Sequence, residues 1–198
     1  MKSFLALLAF LTQAGLHMDR VTIPAPDGVA LDAALVLPDG PPRGAAAWLT
    51  RRPRTPPGGV DLIGWSNGGG TVLYTAAQRP DLPPGLFRRF VAFYPGCATV
   101  SRDEAWQPSG PLMILVGESD DWTPAAPCHD LAARFPGQVV LARYPGAFHD
   151  FDAPDREVEE RSGLATPPSD TGHAHTGTNE PAREDALRRV PAYLDAGH

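Results

Sequence analysis

Val60-Asp61-Leu62-Ile63-Gly64-Trp65-Ser66-Asn67-Gly68-Gly69-Gly70-Thr71-Val72-Leu73 is the stretch that decides the fold. An apolar run enters it, a helix-forming run leaves it, and a G-x-S-x-G turn lies between. Strand, tight turn and helix in that order lift a serine hydroxyl clear of a sheet edge. The glycines matter because the turn is strained and its neighbours pack closely, so a Cβ there would clash. The helix behind Ser66 aims its positive end at the space the hydroxyl faces.

A serine activated in such a turn needs an acid and a histidine further along the chain, in that order. Two later apolar runs supply them. Residues 112–116 read as a buried strand leading into Gly117-Glu118-Ser119-Asp120-Asp121-Trp122-Thr123-Pro124. Acidic residues at the carboxyl end of a parallel strand lie where such sheets bind ligands. Asp120 is the first candidate and Asp121 the second; the competing reading is a helix N-terminus decorated with carboxylates. Residues 139–144 read as the last strand and lead into Pro145-Gly146-Ala147-Phe148-His149-Asp150-Phe151. His149 is thereby the candidate proton acceptor for Ser66.

The rest of the chain fits an α/β architecture. Residues 20–24 and 31–37 read as strands joined by the turn Pro26-Asp27-Gly28. Residues 45–52 read as a short helix, 90–94 as a strand, and 98–110 as an irregular segment that is a candidate lid. A helix is predicted over 124–135, with Thr123 as its N-cap and Pro124 at its first position. A polar stretch over 152–178 follows. Asn179 caps a last helix whose apolar positions are Ala186, Leu187, Val190, Tyr193 and Leu194. Strand alternating with helix implies a mostly parallel sheet covered on both faces.

At 198 residues the chain is long enough for one domain with a real core. A net charge of −6 and the lack of a basic cluster interleaved with aromatics exclude nucleic acid as the expected partner. Lys2, the apolar run 4–11 and the small residues that follow have the parts of a secretory signal. Two other readings stand for residues 1–17: a helical N-terminal extension, or sequence upstream of a start at Met18. Residues 18–198 form one expected domain. The location is periplasmic or secreted on the first reading and otherwise cytoplasmic. The apolar run is too short to span a membrane. Cys97 and Cys128 each follow a strand, so a disulfide between them and a pair of free thiols are both open. His129 falls inside a helix, and His173 and His175 form an H-x-H with no third ligand spaced to join them, so no metal is expected.

Taken together, Gly64-Trp65-Ser66-Asn67-Gly68-Gly69, Tyr94-Pro95-Gly96-Cys97, the acid segment 117–124 and the segment 144–151 ending in His149-Asp150-Phe151 resemble blocks of the dienelactone hydrolase-like branch of the α/β-hydrolases. The tail 173–190 is similar as well. The resemblance implies hydrolysis of a small carboxylic ester or lactone through an acyl-enzyme, with no cofactor. It implies Ser66, Asp120 and His149 as a triad and the Asn67 N–H as an oxyanion donor. Trp65 and Trp122 are candidate pocket residues, with core packing as the alternative.

Two departures stand out. The family's founding members carry cysteine in the elbow and this chain carries Ser66, which fits a general esterase. The segment between Leu37 and Val60 is also too short for the two strands and two helices the fold places there. It lacks the His-Gly sequence whose backbone supplies the second oxyanion donor. The strand count is therefore expected to be reduced, by an internal deletion or a defective gene model. The alternative function is a catalytically silent relative that binds a ligand or partner. Oligomeric state is not legible in the sequence.

Overall fold

The computed structural model describes residues 59–78, 85–164 and 172–196, and the backbone of two N-terminal strands. The chain divides into two compact units, Met1–Val60 and Asp61–His198. In the first, β1 (Leu16–Pro24) and β2 (Ala30–Pro38) pair antiparallel, with Leu16 opposite Pro38 and Pro24 opposite Ala30. The turn expected at 26–28, the leader expected over 1–14 and the short helix read over 45–52 lie outside the described residues.

From Val60 onward the order is β3 (Val60–Trp65), α1 (Asn67–Ala76), β4 (Phe87–Phe93), α2 (Ala98–Arg102), β5 (Leu112–Gly117), α3 (Ala126–Arg134), β6 (Val139–Tyr144), β7 (Glu159–Ser162), β8 (His173–Thr176) and α4 (Glu180–Asp195). Strands β3-β4-β5-β6 form one sheet in that order, and β4–β5 and β5–β6 are parallel. This is the α/β architecture that the alternation of strand and helix predicts.

Strand periodicity explains how the sheet is covered on both faces. Phe90 and Ala92 of β4, with Leu112, Ile114 and Val116 of β5, face a core containing Val72 and Leu73 of α1 and Leu131 of α3. The intervening residues Val91, Phe93, Met113 and Leu115 face a second core with Ala182, Ala186 and Val190 of α4. Every residue of β5 is buried, which is why its sequence is a continuous apolar run rather than an alternating one. Each large side chain so buried contributes roughly 1.5–3 kcal/mol.

Three expectations need correction. Residues 98–110 are not a lid. Val100 and Trp106 belong to the first core, and the Trp106 indole N–H donates to the Leu73 carbonyl at 3.0 Å. Arg134 donates to the carbonyls of Ser101 and Asp103, both at 2.9 Å. A Cys97–Cys128 disulfide ties the start of the segment to α3. Secondly, α3 begins at Ala126, and Thr123 does not cap it. The Thr123 hydroxyl faces the Tyr94 carbonyl at 3.0 Å and the Asp120 carboxylate at 2.9 Å instead. Thirdly, the polar stretch holds a hairpin. β7 and β8 pair antiparallel with Glu160 opposite His175. All four β7 residues are exposed, so no apolar alternation announced them.

The last helix starts where expected. The Asn179 side chain accepts from the Ala182 N–H at 3.2 Å. Leu187, read as a core position, is 60% exposed, and the buried stripe of the helix is Ala182, Ala186 and Val190. Asn179→Ala should cost about 1 kcal/mol. That corresponds to a thermal midpoint about 2–4 °C lower for a chain of this size, as read by circular dichroism.

Candidate active site

The site is built from three strand ends. Ser66 follows β3 with φ 51° and ψ −118°, a left-handed conformation for a residue with a side chain. Such a residue stores on the order of 1–3 kcal/mol of strain. The strain is held by neighbours on both sides. The Ser66 N–H donates to the Phe93 carbonyl at 3.0 Å, and the Ser66 carbonyl accepts from Gly70 at 2.9 Å to open α1. A Cβ on Gly64 would lie 2.3 Å from the Gly68 carbonyl oxygen, so no larger residue fits where the strand crosses the helix start.

The acid loop leaves β5 and the histidine loop leaves β6, and the two touch. A Cβ on Gly117 would lie 2.2 Å from the Ala147 carbonyl oxygen. The Ser119 N–H donates to that same oxygen at 3.0 Å. Asp120 turns its carboxylate back into its own loop. Oδ1 accepts from the N–H groups of Trp122 at 2.9 Å and Thr123 at 2.8 Å. Oδ2 lies 2.8 Å from His149 Nδ1. His149 Nε2 lies 2.8 Å from the Ser66 hydroxyl oxygen. A nitrogen facing a carboxylate carries the proton, so Nε2 is the acceptor and the Ser66 O–H the donor.

The imidazole is only 1% exposed and Asp120 5%. Tyr94 and Trp122 pack against His149 as tilted rings, with centroids 4.5 and 4.8 Å away. Tyr94 is itself strained, at φ 35°. Its hydroxyl donates to Asp152 Oδ1 at 2.8 Å. Burial, then the charges of Asp152 and Asp150, drive the phenol far above its ordinary value. Asp152 Oδ2 accepts from the Trp65 indole at 2.7 Å. Trp65 thus packs against Phe93, 5.1 Å between centroids, and borders a groove of about 180 Å³ shared with Ile63, Leu187 and Val190.

The two candidate acids have separate partners. Asp121 binds His175, not His149, at 2.7 Å from Oδ2 to Nδ1. Sequence reasoning missed this pair, and it missed Thr123, Tyr94 and Asp152 as members of the network. Tyr94 opens one motif block and Asp152 follows another, but only their contacts give them a part. The N–H groups of Asn67, Gly68 and Gly69 lie in the first turn of α1, beyond the reach of intrahelical carbonyls. The segment expected to supply a second donor to an oxyanion falls in residues 39–58, outside the described residues.

A parallel sheet covered on both faces, with a serine on a strained strand-to-helix turn and an acid and a histidine following at later strand ends, defines the α/β-hydrolase class. Within it, the chain belongs to the dienelactone hydrolase family, whose model matches residues 37–196. A Klebsiella pneumoniae structure assigned to the dienelactone hydrolases shares the fold at TM-score 0.52 and 17% identity, over 76% of this chain and 57% of that one. Esterase 2 of Thermogutta terrifontis aligns at TM-score 0.44 and 14% identity, over 69% of this chain and 54% of its own. MGS-M1, an α/β hydrolase enzyme from a Medee basin deep-sea metagenome library, aligns at TM-score 0.42 and 14% identity, over 68% and 52%. The chain therefore spans little more than half the length of these structures. No curated protein matches it.

Asp121 and His175 shift each other's titration. The hydrogen bond that the His175 ring donates to Asp121, outweighing partial burial, raises the His175 pKa, and the charges of Asp121 and Glu160 add to it. Partial burial opposes ionisation of Asp121, but the backbone and ring N–H groups of His175 and its charge bring the net pKa below the ordinary value. A raised histidine stabilises the fold below its unfolded pKa and loses that contribution as pH rises through the folded pKa. A depressed aspartate loses its contribution as pH falls through its own folded pKa. The pair is thus most stabilising between the two. NMR titration should find His175 above an ordinary imidazole, and Asp121→Asn should bring it back down.

Proposed function

We propose that this protein is a serine hydrolase that cleaves small carboxylic esters or lactones through an acyl-enzyme. The observation that carries the reading is the continuous contact from Asp120 through His149 to Ser66, with 2.8 Å at each step. His149 Nε2 takes the hydroxyl proton as Ser66 Oγ attacks the carbonyl carbon. The carbonyl oxygen becomes an oxyanion facing the Asn67 N–H and the positive end of α1. His149 then gives its proton to the leaving alkoxide as the carbon–oxygen bond breaks. A water enters, loses a proton to His149 and attacks the acyl carbon; the bond from that carbon to Ser66 Oγ then breaks, His149 returns the proton to Oγ, and the acid is released. Asp120 stays ionised and holds the imidazole in the tautomer this cycle needs.

A lactone and an open ester enter this scheme alike; in the lactone the leaving alkoxide stays attached to the acyl group. Trp122 and Tyr94, packed on His149, form walls beside the reacting carbon, and Trp65 adds an apolar side next to the serine. The serine in the elbow supports a general esterase over the cysteine chemistry of the family's founding members.

A fluorophosphonate probe should label the protein at Ser66, and Ser66→Ala should remove the label. Asp120→Asn should lower kcat for p-nitrophenyl acetate by about 10⁴-fold, and Asp121→Asn by much less. A folded protein that takes no label would overturn the proposal in favour of a silent binding relative. Full activity in Asp120→Asn would overturn the role given to that residue.

A further inference from the structure

Strand β8 of the β7–β8 hairpin meets the two loops that carry Asp120 and His149. His175 of β8 engages both oxygens of Asp121: its N–H donates to Oδ1 at 2.8 Å, and its ring Nδ1 lies 2.7 Å from Oδ2. Its ring also packs on Phe148, 5.2 Å between centroids. The next residue, Thr176, bridges directly to His149 in parallel β geometry. The N–H of Gly177 then donates to the His149 carbonyl at 3.0 Å. A Cβ on Gly177 would come within 2.6 Å of Val158 Cα, so the strand lies tight against the chain beside it. Thus one short strand grips the residue after the acid, the residue before the histidine and the histidine's own backbone.

The two adjacent aspartates divide the work. Asp120 points inward to the His149 ring, and Asp121 points outward to His175. An ordinary surface ion pair holds two side chains together and contributes about 0–1 kcal/mol. This one also takes a backbone N–H from the strand that carries His149's main-chain partners. We propose that Asp121 and His175 are positioning residues, closing β8 as a clasp that holds His149 within reach of Ser66. The proposal rests on the hydrolase reading for its catalytic consequence, while the positioning itself is a property of the fold.

The Asp121 and His175 side chains are 42% and 39% exposed. Removing either opens no core cavity, and the remaining contacts between the loops persist. The Glu118 N–H still donates to Tyr144 and the Ser119 N–H to Ala147, both at 3.0 Å. The test compares Asp121→Ala, His175→Ala and the double variant in the full chain. Two readouts are used: kcat and KM on p-nitrophenyl acetate, and the NMR resonance of the His149 Nδ1 proton.

Each single variant is expected to lower kcat by about 10- to 100-fold, with KM within about twofold of the parent. The double variant should be no worse than either single one, because both remove the same contact. The Nδ1 proton resonance should broaden as the imidazole loses its fixed place against Asp120. Should an alanine variant fail to fold, Asp121→Asn and His175→Gln keep the side-chain size and take its place. An unchanged resonance and kcat, or losses that multiply in the double variant, would overturn the clasp. If the parent itself shows no hydrolysis, the hydrolase reading fails, and the resonance alone still decides the clasp.

Discussion

One buried imidazole holds the arrangement together. His149 has hydrogen-bonding partners at both ring nitrogens, Asp120 on one side and Ser66 on the other. A polar ring that is 1% exposed cannot turn to water for replacements. The three strand ends that bring Ser66, Asp120 and His149 together must therefore keep a fixed register. A slip in any one of them would leave a buried polar group without a partner, which costs more than the hydrogen bond contributes.

That register comes from the cores on either side of the sheet. β5 is buried along its whole length and sets the acid loop between its neighbours. β4 carries Phe93 and Tyr94 to the rim, where the Phe93 carbonyl fixes the Ser66 N–H and the Tyr94 carbonyl meets the Thr123 hydroxyl. The Cys97–Cys128 bond ties the chain just past Tyr94 to α3, whose start follows the acid loop. Positive φ at Ser66 and Tyr94 falls next to this rim. Local strain there is held by packing from the surrounding elements, a pattern common at functional sites.

Much of this was legible in the chain. The apolar run that became β5 needed only length and β-branched content to be read, since a strand buried on both faces has no alternation to disguise. The elbow was legible because few backbone turns demand glycine on both sides of a serine. Asn179 declared the start of α4 by its side-chain chemistry. Where side chains bond far along the chain, local rules misled. Thr123 has the spacing of a helix cap but is bound to Tyr94 and Asp120. Residues 98–110 look irregular because their order comes from Trp106, Arg134 and a disulfide rather than from periodicity. Strand β7 has no buried face to give the hairpin away.

The sequence by itself determined the class of fold, the order of serine, acid and histidine, and the strand ends on which they fall. These follow from hydrophobic runs and turn residues, which act over a few neighbours. Only the tertiary structure decided which of two adjacent aspartates meets His149 and which meets His175. Successive residues in a loop point in different directions, and that direction is set by what the rest of the chain packs against them.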